Sequence, residues 1–336
     1  MRLAATQFFA TPFDRRHNLQ TAERLIRSAV AYGAKVVVLP ELFNTGYVFS
    51  RQSFAAAEPT NGETLRWMGT LSAQLKTHIA GTLLLRDDDR VFNAFVLVGP
   101  DGKAHRYLKQ HPFLWERCYF EPGPGPMIVE TEIGRIGLMV CWDIAHRQVW
   151  ESYRGKVDML LVASSPARFH RAVLNFPEGK RIYLAEMMPT LLAQREAMDR
   201  WYAEDLAARA AWLGVPVVHS VMAGRFVAEI PFPGLSFFGG AITQPKLWRW
   251  ASQAHLASLR ATFYGTSAVF DSHGLLLARV EQEEGIAVAE ITPPSGGGPE
   301  PKGFNIPLQM RLMEMVLRPL AAGYYDRNRR SHLTGF

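Results

Sequence analysis

An α/β fold is predicted for this chain, because strand-like and helix-like segments alternate along most of its length. Apolar residues recur at helical spacing through residues 19–30, and a buried strand is predicted directly after them at residues 35–39. Residues 65–75 give a second amphipathic helix, and residues 78–85 and 91–98 are typical of strands. Together these segments predict buried strands that are covered by helices.

A hairpin is predicted after the last of these strands. Residues 99–102 include the pair Asp101 and Gly102, which tolerates the positive φ that a tight turn requires. Residues 104–108 then return as the partner strand. This arrangement places Lys109 at the end of a strand.

The alternation continues in the second half of the chain. Residues 134–140 form a strongly apolar strand that begins with glycine and ends at Cys141. Helix-compatible sequence follows up to about Gly155, and residues 157–163 and 215–221 are further strands. Cys141 is therefore expected at a strand-to-helix turn.

A long helix is predicted between these two strands, from Pro189 to a stop at Gly214. Its buried face would be formed by Leu192, Met198, Tyr202, Leu206, Ala210 and Leu213. The final strands are predicted at residues 265–270, 275–280 and 285–291.

The composition is that of a globular protein with a sizeable core, since 48% of the 336 residues are hydrophobic and 20% are charged. No uninterrupted apolar run reaches the roughly 18 residues of a membrane span, so no membrane partner is expected. The net charge of +6 comes from scattered residues, with one dense cluster at residues 327–330, and predicts no nucleic-acid partner. Two cysteines, Cys118 and Cys141, cannot form a disulfide framework, which favours a reducing, cytoplasmic location.

Three segments carry groups that a nucleophilic thiol needs. A free thiol has a pKa of about 8.5, so Cys141 needs a base at neutral pH. Glu41 follows the apolar strand at residues 36–40 and can take the proton. Lys109 can stabilise the oxyanion that forms when the thiol attacks a carbonyl.

In this order and context the three segments resemble the nitrilase (carbon–nitrogen hydrolase) superfamily, whose members use a Glu-Lys-Cys triad. The resemblance covers roughly residues 1–290. It implies a four-layer αββα sandwich with Glu41, Lys109 and Cys141 as catalytic residues. It also implies a supporting role for Glu116, which would orient the lysine and the substrate.

Further site residues are expected around this triad. The backbone N–H of Trp142, at the helix start, is expected to donate to the oxyanion together with Lys109. Tyr47, Trp115 and Ser165 are candidates for the substrate pocket. The sequence has no Cys/His cluster with metal-ligand spacing, so no metal and no cofactor are expected.

The chain is expected to consist of a carbon–nitrogen hydrolase domain at residues 1–292 and a C-terminal tail at residues 293–336. The Pro/Gly-rich stretch that starts the tail separates the two. The resemblance implies that the tail packs on a neighbouring subunit, in a homo-oligomer that is a dimer or larger. Residues 164–190 and 222–264 are longer than usual, and either form an apolar wall of the acyl pocket or make packing and subunit contacts.

The function predicted from these observations is hydrolysis of a carboxamide, with water, to ammonia and a carboxylic acid through a thioester on Cys141. Asp143, where nitrilases tend to have glutamate, favours an amidase, as does the lack of the double arginine of carbamoyl-amino-acid hydrolases. A nitrilase acting on a small nitrile, an N-carbamoyl hydrolase and an acyltransferase remain alternatives on the same triad. A non-catalytic binding scaffold is the alternative outside the enzymes.

Overall fold

Two large β-sheets pack face to face in the computed structural model of this protein, and helices cover their outer faces. The structure describes residues 1–187, 200–242, 244–281, 283–292, 294–302, 304 and 306–334. These four layers confirm the predicted αββα sandwich.

The strands follow the alternation of the sequence closely. In chain order they are β1 (Arg2–Gln7), β2 (Ala34–Val38), β3 (Glu58–Pro59), β4 (His78–Asp87), β5 (Arg90–Val98), β6 (Ala104–Leu108), β7 (Ile128–Thr131), β8 (Gly134–Val140), β9 (Met159–Ser164), β10 (Val173–Asn175), β11 (Arg181–Tyr183), β12 (Val217–Val221), β13 (Arg225–Glu229), β14 (Ser258–Thr262), β15 (Ala268–Phe270), β16 (Leu276–Arg279) and β17 (Gly285–Glu290).

The helices are fewer and vary widely in length. The α-helices are α1 (Arg15–Ala31), α2 (Gln52–Ala56), α3 (Glu63–Leu75), α4 (Arg147–Tyr153), α5 (Leu184–Met187), α6 (Glu204–Leu213), α7 (Pro233–Gly240) and α8 (Leu308–Thr334). Short 3₁₀ helices span Leu114–Cys118, Cys141–Ala145, Phe169–Arg171, Pro177–Gly179 and Pro245–Leu256.

The sheet topology brings several strand ends to one edge. In the first sheet the order is β17-β1-β2-β4-β5-β6, with β3 beside β4. Strand β2 is parallel to β4. Strand β5 is antiparallel to both β4 and β6, so β6 runs in the same direction as β4 and β2. The carboxyl ends of β2 and β6, which precede Glu41 and Lys109, therefore lie at the same edge. The second sheet has the order β16-β15-β12-β9-β8-β7, with β8, β9 and β12 parallel.

The core between the sheets follows from the two-residue period of strands. Val36 and Val38 point towards the second sheet and pack with residues such as Leu138 of β8. Val37, between them, points to the opposite face and packs with Ile26 of α1. Strand β2 is therefore buried on both faces, which explains why its sequence is continuously apolar.

The long helix predicted between β9 and β12 is only partly observed. Its first half, with Pro189, Leu192 and Met198, lies outside the described residues. A turn at residues 202–203 precedes α6, so the prediction of one uninterrupted helix through Tyr202 is wrong. Within α6 the predicted buried face is confirmed at Leu206, Ala210 and Leu213.

A third, small sheet occupies the two stretches that looked longer than usual. Its strand order is β11-β10-β14-β13, and α7 lies between β13 and β14 in the chain. Strands β10 and β11 have three residues each, too short to show a two-residue period in the sequence. Apolar side chains of this sheet, such as Leu174 and Leu259, are buried.

The C-terminal helix α8 lies against its own chain. It contacts the 3₁₀ helix Leu114–Cys118, and the hydroxyl of Tyr325 accepts a 2.9 Å hydrogen bond from the N–H of Val91. No helix among the described residues is both long and apolar enough to cross a membrane. The domain division at residue 292 and the packing of the tail on a second subunit stay predictions.

One glycine allows a close backbone approach beside Lys109. The N–H of Gly123 donates a 2.8 Å hydrogen bond to the carbonyl of Lys109, and a Cβ atom at Gly123 would overlap the carbonyl oxygen of Leu108. Gly125, two residues later, has open space around the position of a Cβ atom.

We therefore expect Gly123→Ala to lower the free energy of unfolding by about 1–3 kcal/mol through overpacking. Gly125→Ala is the matched control and leaves the free energy of unfolding almost unchanged, because nothing obstructs the added methyl group. Urea denaturation of both variants makes the measurement. Equal stability of the two variants would contradict the close approach at Gly123.

Candidate active site

A buried lysine holds two carboxylates together at the edge described above. The Nζ atom of Lys109 lies 2.8 Å from Oε1 of Glu41 and 2.7 Å from Oε2 of Glu116, and all three side chains are fully buried. Burial alone would lower the pKa of Lys109, but the carboxylates of Glu116 and Glu41 outweigh it and raise that pKa. Lys109 is thus a permanent cation between two acids.

Glu41 lies three residues beyond the end of β2, and both of its carboxylate oxygens have partners. Oε1 accepts a 2.8 Å hydrogen bond from the side-chain amide of Asn93, and Oε2 accepts one of 2.8 Å from the N–H of Ser165. Burial raises the pKa of Glu41 to about 7, while Lys109 opposes this rise and Glu116 adds to it. A group of two carboxylates and one ammonium therefore exchanges a proton near neutral pH.

Glu116 is fixed by its neighbours on the opposite side of Lys109. It lies in the 3₁₀ helix Leu114–Cys118, and its carboxylate accepts hydrogen bonds from the hydroxyl of Tyr47 and the N–H of Phe113. With these donors and Lys109, the carboxylate has little freedom to approach Cys141. The geometry fits a residue that orients the lysine.

Cys141 follows β8 and is the first residue of the 3₁₀ helix Cys141–Ala145. Its φ of 45° lies in the left-handed region, which is strained for any residue with a side chain. The thiol interacts with the carboxyl group of Glu41, and its Sγ atom lies 3.6 Å from the hydroxyl oxygen of Tyr202. Burial and the carboxylate of Glu41 raise the pKa of Cys141, so the resting group is a neutral thiol beside a base.

Asp143 braces the turn that carries the thiol. Its carboxylate accepts hydrogen bonds from the hydroxyl of Tyr107 at 2.7 Å, the N–H of Val140 at 3.0 Å and the N–H of His111 at 2.9 Å. These donors come from three segments around the turn. Burial raises the pKa of Asp143 to about 6, so its carboxyl group is mostly ionised at neutral pH and can accept these hydrogen bonds.

A small pocket opens at the thiol, with a volume of about 30 Å³. Three residues that the sequence predicted for the site, Tyr47, Trp142 and Ser165, line it. The remaining wall is formed by Phe113, Pro166, Ala167, Phe169, Trp201, Tyr202 and Tyr264. Trp115, the other predicted pocket residue, does not reach this pocket and lines a larger cavity beside it.

Sequence reasoning missed two polar neighbours of the triad. Asn93 is a lone amide in the otherwise apolar stretch 91–98 of strand β5, and that break in the pattern is a signal that could have found it. Tyr202 was expected to pack on the buried face of a helix, but it lies in a turn and reaches Cys141. No local pattern marks Tyr202, because its position depends on a contact across 61 residues.

The described ranges contain no group of three or more His, Cys, Asp or Glu side chains that could hold a metal ion. Cys118 and Cys141 are both free thiols. The lack of a metal or another cofactor in the reaction stays a prediction.

Comparison with known proteins identifies the family. A family model described as carbon-nitrogen hydrolase matches residues 2–297. A nitrilase of Pyrococcus abyssi is 36% identical over 130 residues, which cover 38% of this chain and 50% of the relative. An omega-amidase of Yersinia enterocolitica is 32% identical over 191 residues, which cover 56% of this chain and 67% of the relative. The chain thus spans about half the length of the first of these curated relatives.

Solved structures share the fold. One is a mutant of the amidase from Nesterenkonia sp. AN1 that shows Michael addition of acrylamide at its active site cysteine. It superposes with a TM-score of 0.61 at 19% sequence identity, over 87% of this chain and 93% of that chain. This similarity confirms the nitrilase-type sandwich. The family match, which extends over nearly the whole sandwich, shows that the chain belongs to the carbon–nitrogen hydrolase family.

Proposed function

We propose that this protein is a cysteine-dependent hydrolase of non-peptide C–N bonds that acts on carboxamides. It converts the amide into ammonia and a carboxylic acid through a thioester on Cys141. The observation that carries the proposal is one buried cluster in which Cys141 and Lys109 both contact the carboxyl group of Glu41. The family of the chain and the names of its relatives, nitrilase and omega-amidase, agree with this proposal.

In the first half of the reaction, the sulfur of Cys141 attacks the amide carbon while Glu41 takes the thiol proton. This transfer is needed because burial keeps the resting thiol protonated. The carbonyl oxygen becomes an oxyanion, and the ammonium of Lys109, which acts electrostatically on Cys141, stabilises it. The N–H of Trp142 is a second donor, since the first N–H groups of a helix have no acceptor within it.

In the second half, the C–N bond breaks, and the nitrogen leaves as ammonia with the proton held by Glu41. A thioester joins the acyl group to Cys141. Glu41, again a carboxylate, takes a proton from a water molecule that attacks the thioester carbon. The carboxylic acid leaves and the proton returns to the sulfur, so one water is consumed for each amide.

The alternatives on the same triad differ in what reaches Cys141. A nitrilase or an N-carbamoyl hydrolase would take a nitrile or a carbamoyl group, and an acyltransferase would replace water with another acceptor. Product analysis with an amide and its matching nitrile separates the first of these from an amidase. A homo-oligomeric state and a cytoplasmic location belong to the same proposal.

The main test compares the two buried cysteines. Cys141→Ala abolishes ammonia release from a panel of primary amides, because no nucleophile remains. Cys118→Ala is the matched control and retains the activity, since Cys118 lies in an apolar cluster that does not include Cys141. Glu41→Gln lowers kcat by roughly 10²–10⁴-fold through loss of the general base. Ammonia release that survives in Cys141→Ala would end the thioester proposal, and an inactive, unreactive native protein would favour the binding scaffold.

The pH dependence of thiol alkylation tests the role of Glu41 separately. Because burial raises the pKa of Glu41 to about 7, its carboxylate form is lost below that pH and complete above it. Alkylation of Cys141 by iodoacetamide, followed by mass spectrometry, should therefore rise through pH 7 and then level off. Glu41→Gln removes this inflection. Cys118, whose pKa burial raises to about 12, stays unlabelled in the folded protein and serves as the internal control.

Tyr202 is expected to assist at the sulfur. Its hydroxyl oxygen lies 3.6 Å from the Sγ atom of Cys141, and hydrogen bonds to charged groups contribute about 1.5–3 kcal/mol. Tyr202→Phe should lower kcat by roughly 10–100-fold with little change in the free energy of unfolding, since a thiol is a weak partner. In the control Tyr153→Phe, which loses a bond to the carbonyl of Leu138, stability falls by about 1 kcal/mol and kcat is retained. An unchanged kcat in Tyr202→Phe would contradict this role.

A further inference from the structure

A large apolar cavity lies beside the pocket of Cys141. Its volume is about 460 Å³, which is in the range of cavities that bind small organic ligands. Three parts of the chain form it: the 3₁₀ helix Leu114–Cys118, the small third sheet with α7, and the C-terminal helix α8.

The cavity and the pocket at Cys141 share two lining residues. Phe113 and Phe169 line both, with ring centroids 6.0 Å apart and ring planes inclined by only 29°. The pocket at Cys141 has a volume of about 30 Å³, roughly two to three times what one water molecule needs in order to fit. It has room for a small group such as a reacting carboxamide, so a longer acyl chain needs space elsewhere. The adjoining cavity offers that space.

The residues that line the cavity indicate which kind of acyl chain it would bind. Among the described residues that line it, none is charged. The hydroxyl of Ser236 is used within the protein, since it donates to the carbonyl of Pro231 at 2.5 Å. A carboxylate or ammonium group that entered the cavity would lose part of its water without gaining an oppositely charged partner, which is unfavourable.

We propose that this cavity is the acyl subsite, and that the enzyme prefers primary amides of unbranched, medium-chain fatty acids. The inference rests on the proposed amidase function, because it describes what the same site binds. The carboxamide lies at Cys141, and the alkyl chain runs past Phe113 and Phe169 towards α8.

The first experiment measures kcat/KM for a series of amides: acetamide, butanamide, hexanamide and octanamide. We expect an increase of about fourfold for each added methylene, which corresponds to about 0.8 kcal/mol per buried CH₂ group. The monoamide of octanedioic acid has the same length with a terminal carboxylate, and it should be hydrolysed no better than acetamide. N-hexylacetamide tests whether the chain belongs to the leaving amine, and it should be poorer than hexanamide.

A second experiment places a charge on the cavity wall. Val316 and Met315 are neighbours on α8 and similarly exposed, at 60% and 65%, but only Val316 lines the cavity. Val316→Glu should lower kcat/KM for octanamide by roughly tenfold, because a hydrated carboxylate replaces apolar wall that would otherwise be buried against the alkyl chain. It should leave acetamide hydrolysis unchanged, and Met315→Glu should leave both activities unchanged.

A steric pair gives an independent test on α7. Gly239 lines the cavity, Gly234 does not, and neither has an atom within 4 Å of the position of a Cβ atom. Gly239→Phe should reduce kcat/KM for octanamide and spare acetamide. Gly234→Phe should change neither value.

The outcomes separate the two proposals. Hydrolysis of acetamide without any gain for octanamide, or a preference for the acidic monoamide or for N-hexylacetamide, would overturn the acyl subsite and leave the amidase function intact. A change in molar mass by light scattering in both Val316→Glu and Met315→Glu would make this face an interface between copies, and would also overturn the subsite. No hydrolysis of any amide, with an unreactive Cys141, would remove the amidase function and the subsite with it.

Discussion

The buried ammonium of Lys109 is the interaction on which the site depends. Two carboxylates and one ammonium are fully excluded from water, and such burial is unfavourable unless each charge has close partners. Lys109 provides the partner for both acids, and Asn93, Ser165 and Tyr47 supply further hydrogen bonds. Burial raises the pKa of Glu41 to about 7, Lys109 opposes this rise and Glu116 adds to it, so the cluster exchanges a proton near neutral pH. The same ammonium holds Glu41 in place, and in the proposed mechanism it also stabilises the oxyanion.

This cluster exists because the sheets bring distant segments to one edge. Glu41 and Lys109 follow parallel-directed strands of the first sheet, whereas Cys141 follows β8 of the second. The thiol of Cys141 therefore meets the carboxyl group of Glu41 only when the two sheets are packed against each other. Cys141 also needs a strained, left-handed backbone, and the three hydrogen bonds to Asp143 offset that strain. The carboxylate of Asp143, two residues after Cys141, thus stabilises the backbone turn that Cys141 requires.

The parts of the fold that depend on periodicity could be predicted from sequence. Strands β2, β5 and β8 have clear apolar patterns, and β6 follows β5 through the predicted hairpin turn, so the positions of Glu41, Lys109 and Cys141 near strand ends could be predicted. The parts that depend on contacts between remote segments could not be predicted from the sequence. The contact of Tyr202 with Cys141 and the pairing of β10 with β14 are of this kind. Trp115 illustrates the same limit, because its nearness to Glu116 in sequence does not say which cavity its ring lines.

The C-terminal helix α8 contacts the residue next to Cys141 and also lines the apolar cavity. The indole N–H of Trp142, directly after Cys141, donates a 2.9 Å hydrogen bond to the carboxylate of Glu314 on α8. Val316 and Leu317, two and three residues later on that helix, form part of the cavity wall. A displacement of α8 would therefore move the cavity wall and disturb the turn that carries the thiol. Helix α8 thus supports the candidate site, even though Glu41, Lys109 and Cys141 all lie before residue 142.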